Sequence, residues 1–150
     1  MAPPARALVV TRRVSVHGPI GEQLAGSVEI GARLEHVAEL LVPRFADHCF
    51  MDLCQGDALI CRVRRHAGGW TPPPGTWKQV GEQIVYPEGH FCQLAMARLD
   101  TIIVNWDRGE DYPAPSAQSY AAAREVGLKS VLAAPLYARG VLLGEMSLAL

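Results

Sequence analysis

The clearest pattern in the chain is a set of apolar residues at helical spacing after residue 30. The residues that share this face are Leu34, Val37, Ala38 and Leu41. They recur every three or four positions, as the buried face of an amphipathic helix requires. Proline cannot continue a helix, so Pro43 limits this one. We therefore predict an amphipathic helix that begins near Arg33.

Two segments with the composition of strands follow this helix. They are residues 49–54 and residues 58–66, and the turn-like Gln55-Gly56-Asp57 separates them. In the second segment Leu59, Cys61 and Val63 alternate with Ile60, Arg62 and Arg64. Strict alternation places the two sets on opposite faces of a strand. The pattern predicts a β-hairpin.

Residues 67–85 are rich in residues that interrupt regular structure. They include Gly68, Gly69, Pro72, Pro73, Pro74, Gly75 and Gly81. Prolines at this density are incompatible with a helix or a central strand. We expect a long loop here, and long loops in compact domains are often functional.

Helical spacing returns after this loop. Pro87 is tolerated in a first helical turn, so we predict a helix from there to about Leu99. Its apolar face carries Phe91, Leu94 and Ala95. The apolar run at residues 101–104 then predicts a short strand.

The C-terminal third predicts one more helix and a closing hairpin. Ser116 is a good N-cap for a helix that runs to Val126 and is closed by Gly127. Residues 130–136 and 141–150 have strand composition, and Tyr137-Ala-Arg-Gly140 forms the turn between them.

The order of elements defines the fold class. Two hairpins and one lone strand can share a single antiparallel sheet with helices packed on it, so we predict an α+β domain with about five to six strands. This domain spans residues 31–150. Residues 1–30 form a separate arm, with a strand over residues 7–16 and glycine-rich turns after it.

Composition and charge narrow the class of partner. The 150 residues are 49% hydrophobic, which fits one folded domain. Fourteen Lys and Arg against fifteen Asp and Glu give a net charge of −1, so we expect neither nucleic acid nor an anionic membrane as partner. The local cluster Arg62, Arg64 and Arg65 is interpreted as a solvated strand edge. Without a signal-peptide core or a membrane-spanning stretch, a cytoplasmic location is expected.

Cysteines and histidines give no catalytic or metal assignment. The cysteines are Cys49, Cys54, Cys61 and Cys92, and they lack the C-x-x-C spacing of zinc or redox sites. We expect buried, reduced thiols. His48 beside Cys49, or His90 near Cys92, could pair a nucleophile with its base. Residues one or two apart rarely face each other, so structural roles are favoured. The histidines are too scattered to predict a metal site.

Three segments together resemble the GAF family. They are Val42-Pro-Arg-Phe-Ala-Asp47, Gly127-Leu-Lys-Ser-Val-Leu-Ala-Ala-Pro-Leu136 and Arg139-Gly-Val-Leu-Leu-Gly144. With the element order, they are similar to the GAF domains that precede SpoIIE-like, PPM-type serine/threonine phosphatase domains in actinobacterial regulators. The resemblance covers roughly residues 33–150. It implies a GAF-like (profilin-like) fold, a sensory role without catalysis of its own, a homodimer, and an effector domain attached in the parent protein.

Two familiar GAF ligands are not expected. Cyclic-nucleotide-binding members often carry an Asn-Lys-x-Phe-x-x-x-Asp-Glu constellation, and Asn105-Trp-Asp-Arg108 does not continue in that way. Phytochrome members attach a bilin through a cysteine near the helix that corresponds to residues 116–126, which contain no cysteine here. The cofactor, if one is bound, is left unassigned.

Aromatic residues mark the expected pocket, because most of them fall in the stretch that the GAF resemblance implies covers one face of the sheet. The candidate ligand-binding residues are Trp70, Trp77, Tyr86, His90, Phe91, Trp106, Tyr112 and Tyr120. Asn105 and Asp107 could join His90 as polar groups in a pocket for a small apolar or aromatic molecule. The alternative is that these rings fill the core beneath the loop.

Two function classes remain open at this point. In the first, ligand binding or dimer rearrangement biases an attached phosphatase or kinase by favouring one of two conformations. In the second, the chain is a ligand-free interaction module that dimerises through its first helix and the sequence ahead of it.

Overall fold

The computed structural model of the chain describes residues 30–106, 113 and 117–150. Several sequence-based expectations lie outside these residues: the strand over residues 7–16, the Ser116 cap, Asp107 and Tyr112. Nothing in the described part of the chain tests the boundary between an arm and a domain, although Ile30 already belongs to the first helix.

Three helices and six strands form the described residues. The helices are α1 (Ile30–Leu41), α2 (Phe91–Arg98) and α3 (Ala117–Glu125). The strands are β1 (His48–Gln55), β2 (Ala58–His66), β3 (Gln83–Ile84), β4 (Ile102–Asn105), β5 (Ser130–Ala138) and β6 (Val141–Ala149). A single turn of 3₁₀ helix, Ala67–Gly69, follows β2.

All six strands share one antiparallel sheet in the order β3-β2-β1-β6-β5-β4. The two hairpins, β1–β2 and β5–β6, meet at the centre through the pairing of β1 with β6. The predicted α+β class with five to six antiparallel strands is therefore confirmed.

The two faces of the sheet bury separate cores. On one face, α1 packs Leu34 and Ala38 against a cluster that includes Met51 and Val63. On the other face, α2 and the strands β4, β5 and β6 bury a second cluster. Its buried members are Phe91, Cys92, Ala95, Ile102, Val104, Val131, Ala133 and Ala149. Alternate residues of β1 and β6 point to opposite faces, so each central strand serves both cores.

Besides α1, which includes Ile30 although it was predicted to begin near Arg33, the main differences from the sequence prediction lie in three places. The loop between β2 and α2 contains β3, which pairs Ile84 with Leu59 and was predicted as loop throughout. Helix α2 begins at Phe91 and not at Pro87, because the His90 side chain accepts a hydrogen bond from the Cys92 N–H and so caps the helix.

The third difference is the turn between β5 and β6, which is shorter than predicted. Tyr137 and Ala138 still pair with Leu142 and Val141, so only two residues connect the strands. Arg139 (φ 51°) and Gly140 (φ 78°) both adopt left-handed backbone conformations. Positive φ at both positions is the geometry of a type I′ turn, which matches the twist of a hairpin.

A β-bulge in β2 breaks the alternation expected from the sequence. Val63 pairs with Met51, but Cys61 pairs with Asp52, so Arg62 is an extra residue with no partner in β1. Cys61 and Val63 therefore face opposite sides of the sheet, whereas strict alternation predicted the same side. The bulge brings the Cys61 thiol onto the face that carries Asp52.

Gly144 allows β6 to approach β1 closely beside Asp52. A Cβ atom at Gly144 would lie 1.9 Å from the carbonyl oxygen of Asp52, and the residue has φ +152°. Only glycine fits this contact without moving one of the strands.

We predict that Gly144→Ala lowers the free energy of unfolding by roughly 2–4 kcal/mol, because the central strand pair must separate or distort. Urea unfolding followed by tryptophan fluorescence measures the change. Gly31→Ala is the matched control, since nothing lies within 4 Å of its Cβ position and α1 favours alanine. Equal effects of the two substitutions would contradict the close contact between β1 and β6.

Candidate ligand cavity

A cavity of about 780 Å³ lies between the sheet and the loop that joins β2 to α2. Its floor includes Phe50 of β1 and Ser147 and Ala149 of β6, so it opens on the face opposite α1. The loop supplies one wall through residues 71–79, and Phe91 of α2 contributes to another. A volume of this size is within the usual range for small-molecule sites.

Five of the eight residues predicted from the sequence line this cavity. They are Trp77, Tyr86, His90, Phe91 and Trp106. Trp70 instead lines a neighbouring cavity of about 500 Å³, next to His66 and Pro43. Tyr120 is not among the lining residues, and its ring lies 5.8 Å from the Arg124 guanidinium carbon. Asn105, expected as a polar group of the pocket, does not line it either.

Edge-to-face ring contacts hold the loop over the sheet at one end of the cavity. The Trp77 ring lies 5.4 Å from Phe50 and 5.3 Å from Trp70. Two histidines from the paired strand ends complete this cluster: His48 and His66 approach to 2.8 Å between their Nδ1 atoms. Burial lowers the pKa of both imidazoles, that of His66 to about 4. At neutral pH this end of the cavity is therefore an uncharged aromatic cluster.

Beneath the cavity, a fully buried carboxylate holds two of the surrounding elements. Asp52 has no exposed surface, and its Oδ1 accepts a hydrogen bond of 2.6 Å from the Arg64 guanidinium. Its Oδ2 accepts a second bond of 2.6 Å from the Tyr86 hydroxyl. Tyr86 belongs to the segment between β3 and α2, so Asp52 ties that segment to the centre of the sheet. Such charge-assisted bonds are stronger than neutral ones.

Arg64 contradicts the interpretation of the arginine cluster as a solvated strand edge. Its side chain is only 8% exposed. The guanidinium also donates to the backbone oxygens of Val63 and Lys78, and Lys78 belongs to the loop over the cavity. A buried arginine needs such partners because the charge has been removed from water. The sequence alone did not reveal the partner, since Asp52 lies on the neighbouring strand.

A second carboxyl group, Glu145, lies beside Asp52 on β6. The two residues are paired across the strands, and Glu145 has no exposed surface. Burial, followed by the nearby charge of Asp52, raises the pKa of Glu145 well above its ordinary value. The Glu145 Oε1 atom accepts no hydrogen bond from the described residues. A proton held on this atom can therefore be donated to the Asp52 carboxylate. Burial and the neighbouring Asp52 therefore favour the neutral, protonated form of Glu145.

Glu145 connects the carboxyl pair to the cavity wall. Ser147 donates to Glu145 Oε2 at 2.7 Å, and the Cys92 sulfur lies 3.2 Å from the Ser147 oxygen. Both Ser147 and Cys92 line the cavity. The polar network thus extends from the floor to the start of α2.

The thiols lack the properties of a nucleophile. Burial raises the pKa of Cys49 to about 12, and that of Cys92 well above its usual value. His90 uses Nδ1 to cap α2, and burial lowers its pKa to about 3. This geometry supports the structural role expected for both pairs. All four cysteines are free, as expected, but Cys54 is exposed, so the expectation of burial is wrong for that residue.

The sequence reasoning missed the residues beneath the aromatic walls. Phe50 and Asp52 occupy alternate positions of β1 between the buried Cys49, Met51 and Leu53. An acid that alternates with apolar residues in a strand was a usable signal for a buried charge. Glu145 and Ser147 show the same alternation in β6, which was predicted only as an apolar strand.

No protein-family model and no curated protein sequence matches the chain. Solved structures share its fold at low sequence identity. The GAF domain of a two-component sensor histidine kinase from Bacillus halodurans is 18% identical, with a TM-score of 0.57, over 82% of this chain and 76% of that one. The A. aeolicus nlh2 GAF domain in an inactive state is 13% identical, with a TM-score of 0.58, over 87% and 74%.

The phycoerythrobilin-bound GAF domain from a cyanobacterial phytochrome is also similar, with 16% identity and a TM-score of 0.51 over 87% of this chain and 78% of that one. These similarities confirm the predicted GAF-like fold. Helices long and apolar enough to span a membrane are not found among the described residues. Nor do those residues contain a group of three metal-ligating side chains.

We predict that Glu145→Gln becomes progressively more favourable than wild type as pH rises. Above pH 4.5 this glutamate loses its proton in the unfolded chain but retains it longer in the folded protein, where its pKa is raised. The free energy of unfolding of the wild type therefore falls as pH rises above this value. Glutamine carries no such cost. The difference in unfolding free energy between variant and wild type, measured by urea titration from pH 4 to pH 8, is therefore expected to increase.

Glu39→Gln is the control, because Glu39 is an exposed glutamate at the surface of α1. A difference for Glu145→Gln that stays constant over this pH range would show that Glu145 is ionised in the folded protein.

Proposed function

We propose that this chain is a GAF-type sensory domain that binds a small molecule in the cavity and signals to an attached effector domain. The observation that carries the proposal is the cavity of about 780 Å³, walled by aromatic side chains and roofed by the loop between β2 and α2. A domain whose rings only filled the core would leave no such space. The lining matches the usual composition of ligand sites, which are mainly apolar with a few placed polar groups.

The contacts around Asp52 supply a route from the cavity to the fold. Tyr86 lines the cavity and bonds to Asp52, and its ring stacks on His90 with centroids 4.4 Å apart. His90 in turn caps α2. A ligand that displaces Tyr86 therefore alters both the loop tether and the start of a helix. Binding shifts a conformational equilibrium only when it favours one of the two states. In this proposal, the Tyr86–Asp52 hydrogen bond is the contact that differs between the states with and without ligand.

The effector we propose is a SpoIIE-like serine/threonine phosphatase or a kinase in a cytoplasmic, actinobacterial regulator. The sequence resemblance of the C-terminal hairpin supports the phosphatase. The similar GAF domain from a sensor histidine kinase supports an effector of the kinase class. The chain itself is proposed to be regulatory and not catalytic.

A ligand-free dimerisation module is the second candidate, and an exposed apolar surface favours it. Leu40 near the end of α1 is 54% exposed, and Phe45 just after it is 68% exposed. Exposed apolar side chains of this size often mark contacts between chains. In this case α1 would pair two copies, as the GAF resemblance implies, and the cavity would have no ligand.

Native mass spectrometry after incubation with a small-molecule extract of the expression host distinguishes the two functions. A sensory domain is expected to show a mass excess that is lost on denaturation. Ala123→Phe, which places a ring in the cavity wall, is expected to reduce the bound fraction at least about tenfold by steric exclusion. Ala97→Phe, on the exposed side of α2, is the control. A clean mass with a stable dimer would contradict the sensory function and support the dimerisation module.

A further inference from the structure

Charges in the deep wall of the cavity compensate each other. Arg64 lines the cavity, but its positive charge is paired with Asp52 directly below. Burial favours the neutral form of Glu145 by raising its pKa, and it favours the neutral form of His90 by lowering its pKa to about 3. The remaining charged lining residues are Lys78 and Glu82, which have opposite signs and are exposed on the loop. An ionic group placed against the deep wall, away from these two exposed side chains, would therefore meet no opposite charge left to pair with it.

Arg64 cannot serve as the receptor of an anion, because its N–H groups are already used. Its Nε donates to the Lys78 oxygen, and one terminal nitrogen donates to backbone oxygens of Val63 and Met51. The other terminal nitrogen donates to Asp52 and to the Cys61 sulfur. A guanidinium has five N–H donors, and these contacts account for all of them.

Three of the neutral polar groups on the wall have also directed their protons inward. Tyr86 donates its one proton to Asp52, and Ser147 donates its one proton to Glu145. Because the Ser147 proton is used, the Cys92 thiol is the donor in its contact with Ser147. Tyr86 also lies close to Cys92, but the carboxylate is the stronger acceptor for the phenol proton. To a ligand, Tyr86, Ser147 and Cys92 can therefore offer lone pairs only.

From these contacts we infer the chemical class of ligand: an uncharged, flat aromatic molecule that carries an N–H or O–H donor. The inference rests on the proposed sensory function. The flat shape follows from walls built of Phe50, Trp77, Tyr86, Phe91 and Trp106. The donor follows from the acceptor-only Tyr86, Ser147 and Cys92, and the lack of charge follows from the paired Arg64.

Three matched probes test each part of the inference separately. Indole is neutral and has an N–H donor, 1-methylindole lacks the donor, and indole-3-carboxylate adds a negative charge. Two-dimensional NMR of the ¹⁵N-labelled chain gives a dissociation constant for each. Indole is expected to bind roughly fivefold more tightly than 1-methylindole, the value of one neutral hydrogen bond. Indole-3-carboxylate is expected to bind at least about a hundredfold more weakly than indole, because its charge would be buried without a partner.

Tyr86→Phe and Ser147→Ala locate the acceptor. At least one of them is expected to remove the preference for indole over 1-methylindole while binding of 1-methylindole is retained. Tyr137→Phe, at an exposed tyrosine of β5 that does not line the cavity, is expected to leave the preference unchanged.

The outcomes separate this inference from the proposed function. Equal binding of indole and 1-methylindole would overturn the donor requirement and leave a ligand-binding cavity in place. A preference that survives both Tyr86→Phe and Ser147→Ala would overturn the assignment of the acceptor to these two residues. Tightest binding of indole-3-carboxylate would overturn the requirement for an uncharged ligand, again without affecting the proposed function. If none of the probes shifts the resonances of cavity residues up to its solubility limit, the inference fails, and native mass spectrometry with the extract decides the proposed function separately.

Discussion

Asp52 is buried without any exposed surface at the centre of the sheet, and the arrangement of the cavity face follows from the need to satisfy its carboxylate. Arg64 provides the compensating charge, and Tyr86 provides a hydrogen bond from the segment that leads into α2. Removing one member of a buried ion pair leaves an uncompensated charge, which typically costs about 3–5 kcal/mol. The β2 bulge and the close approach of Gly144 both occur next to this residue. The bulge in β2 and the close approach of β6 to β1 are therefore both local to the buried charge of Asp52.

The sheet separates a structural face from a face with a cavity. Helix α1 covers the first with close aliphatic packing around Leu34 and Met51. The second is covered in part by a proline-rich loop that supplies few buried apolar residues. This loop is held by Arg64, Tyr86 and an edge-to-face ring contact with Phe50. Regions with few buried contacts open more readily than the core. Under the proposed function, this division would allow a small domain to keep a stable sheet while the loop responds to a molecule on one side.

Local patterns in the sequence predicted most of the fold, because helix α1, the hairpins and the proline-rich loop are determined by nearby residues. The aromatic residues of that loop and of the segment after it also identified Trp77, Tyr86 and Phe91 as cavity residues. The polar network was not predicted, since Asp52, Arg64 and Glu145 come from three strands and only their pairing brings them together. No turn residue beside Arg62 in the sequence indicates the bulge in β2. Tyr120 was placed in the pocket by its position along the chain alone, which does not fix the direction of a helical side chain.

Hydrogen–deuterium exchange of Asp52→Asn beside wild type tests most directly whether this carboxylate holds the loop over the cavity. The account predicts that backbone amides of residues 70–90 exchange at least about tenfold faster in the variant, because asparagine binds Arg64 and Tyr86 without a charge. Amides of α1, which packs on the opposite face, are predicted to keep their protection and serve as the internal reference. Unchanged exchange across residues 70–90 in a folded variant would contradict the account, since the loop would then be held by its ring contacts alone.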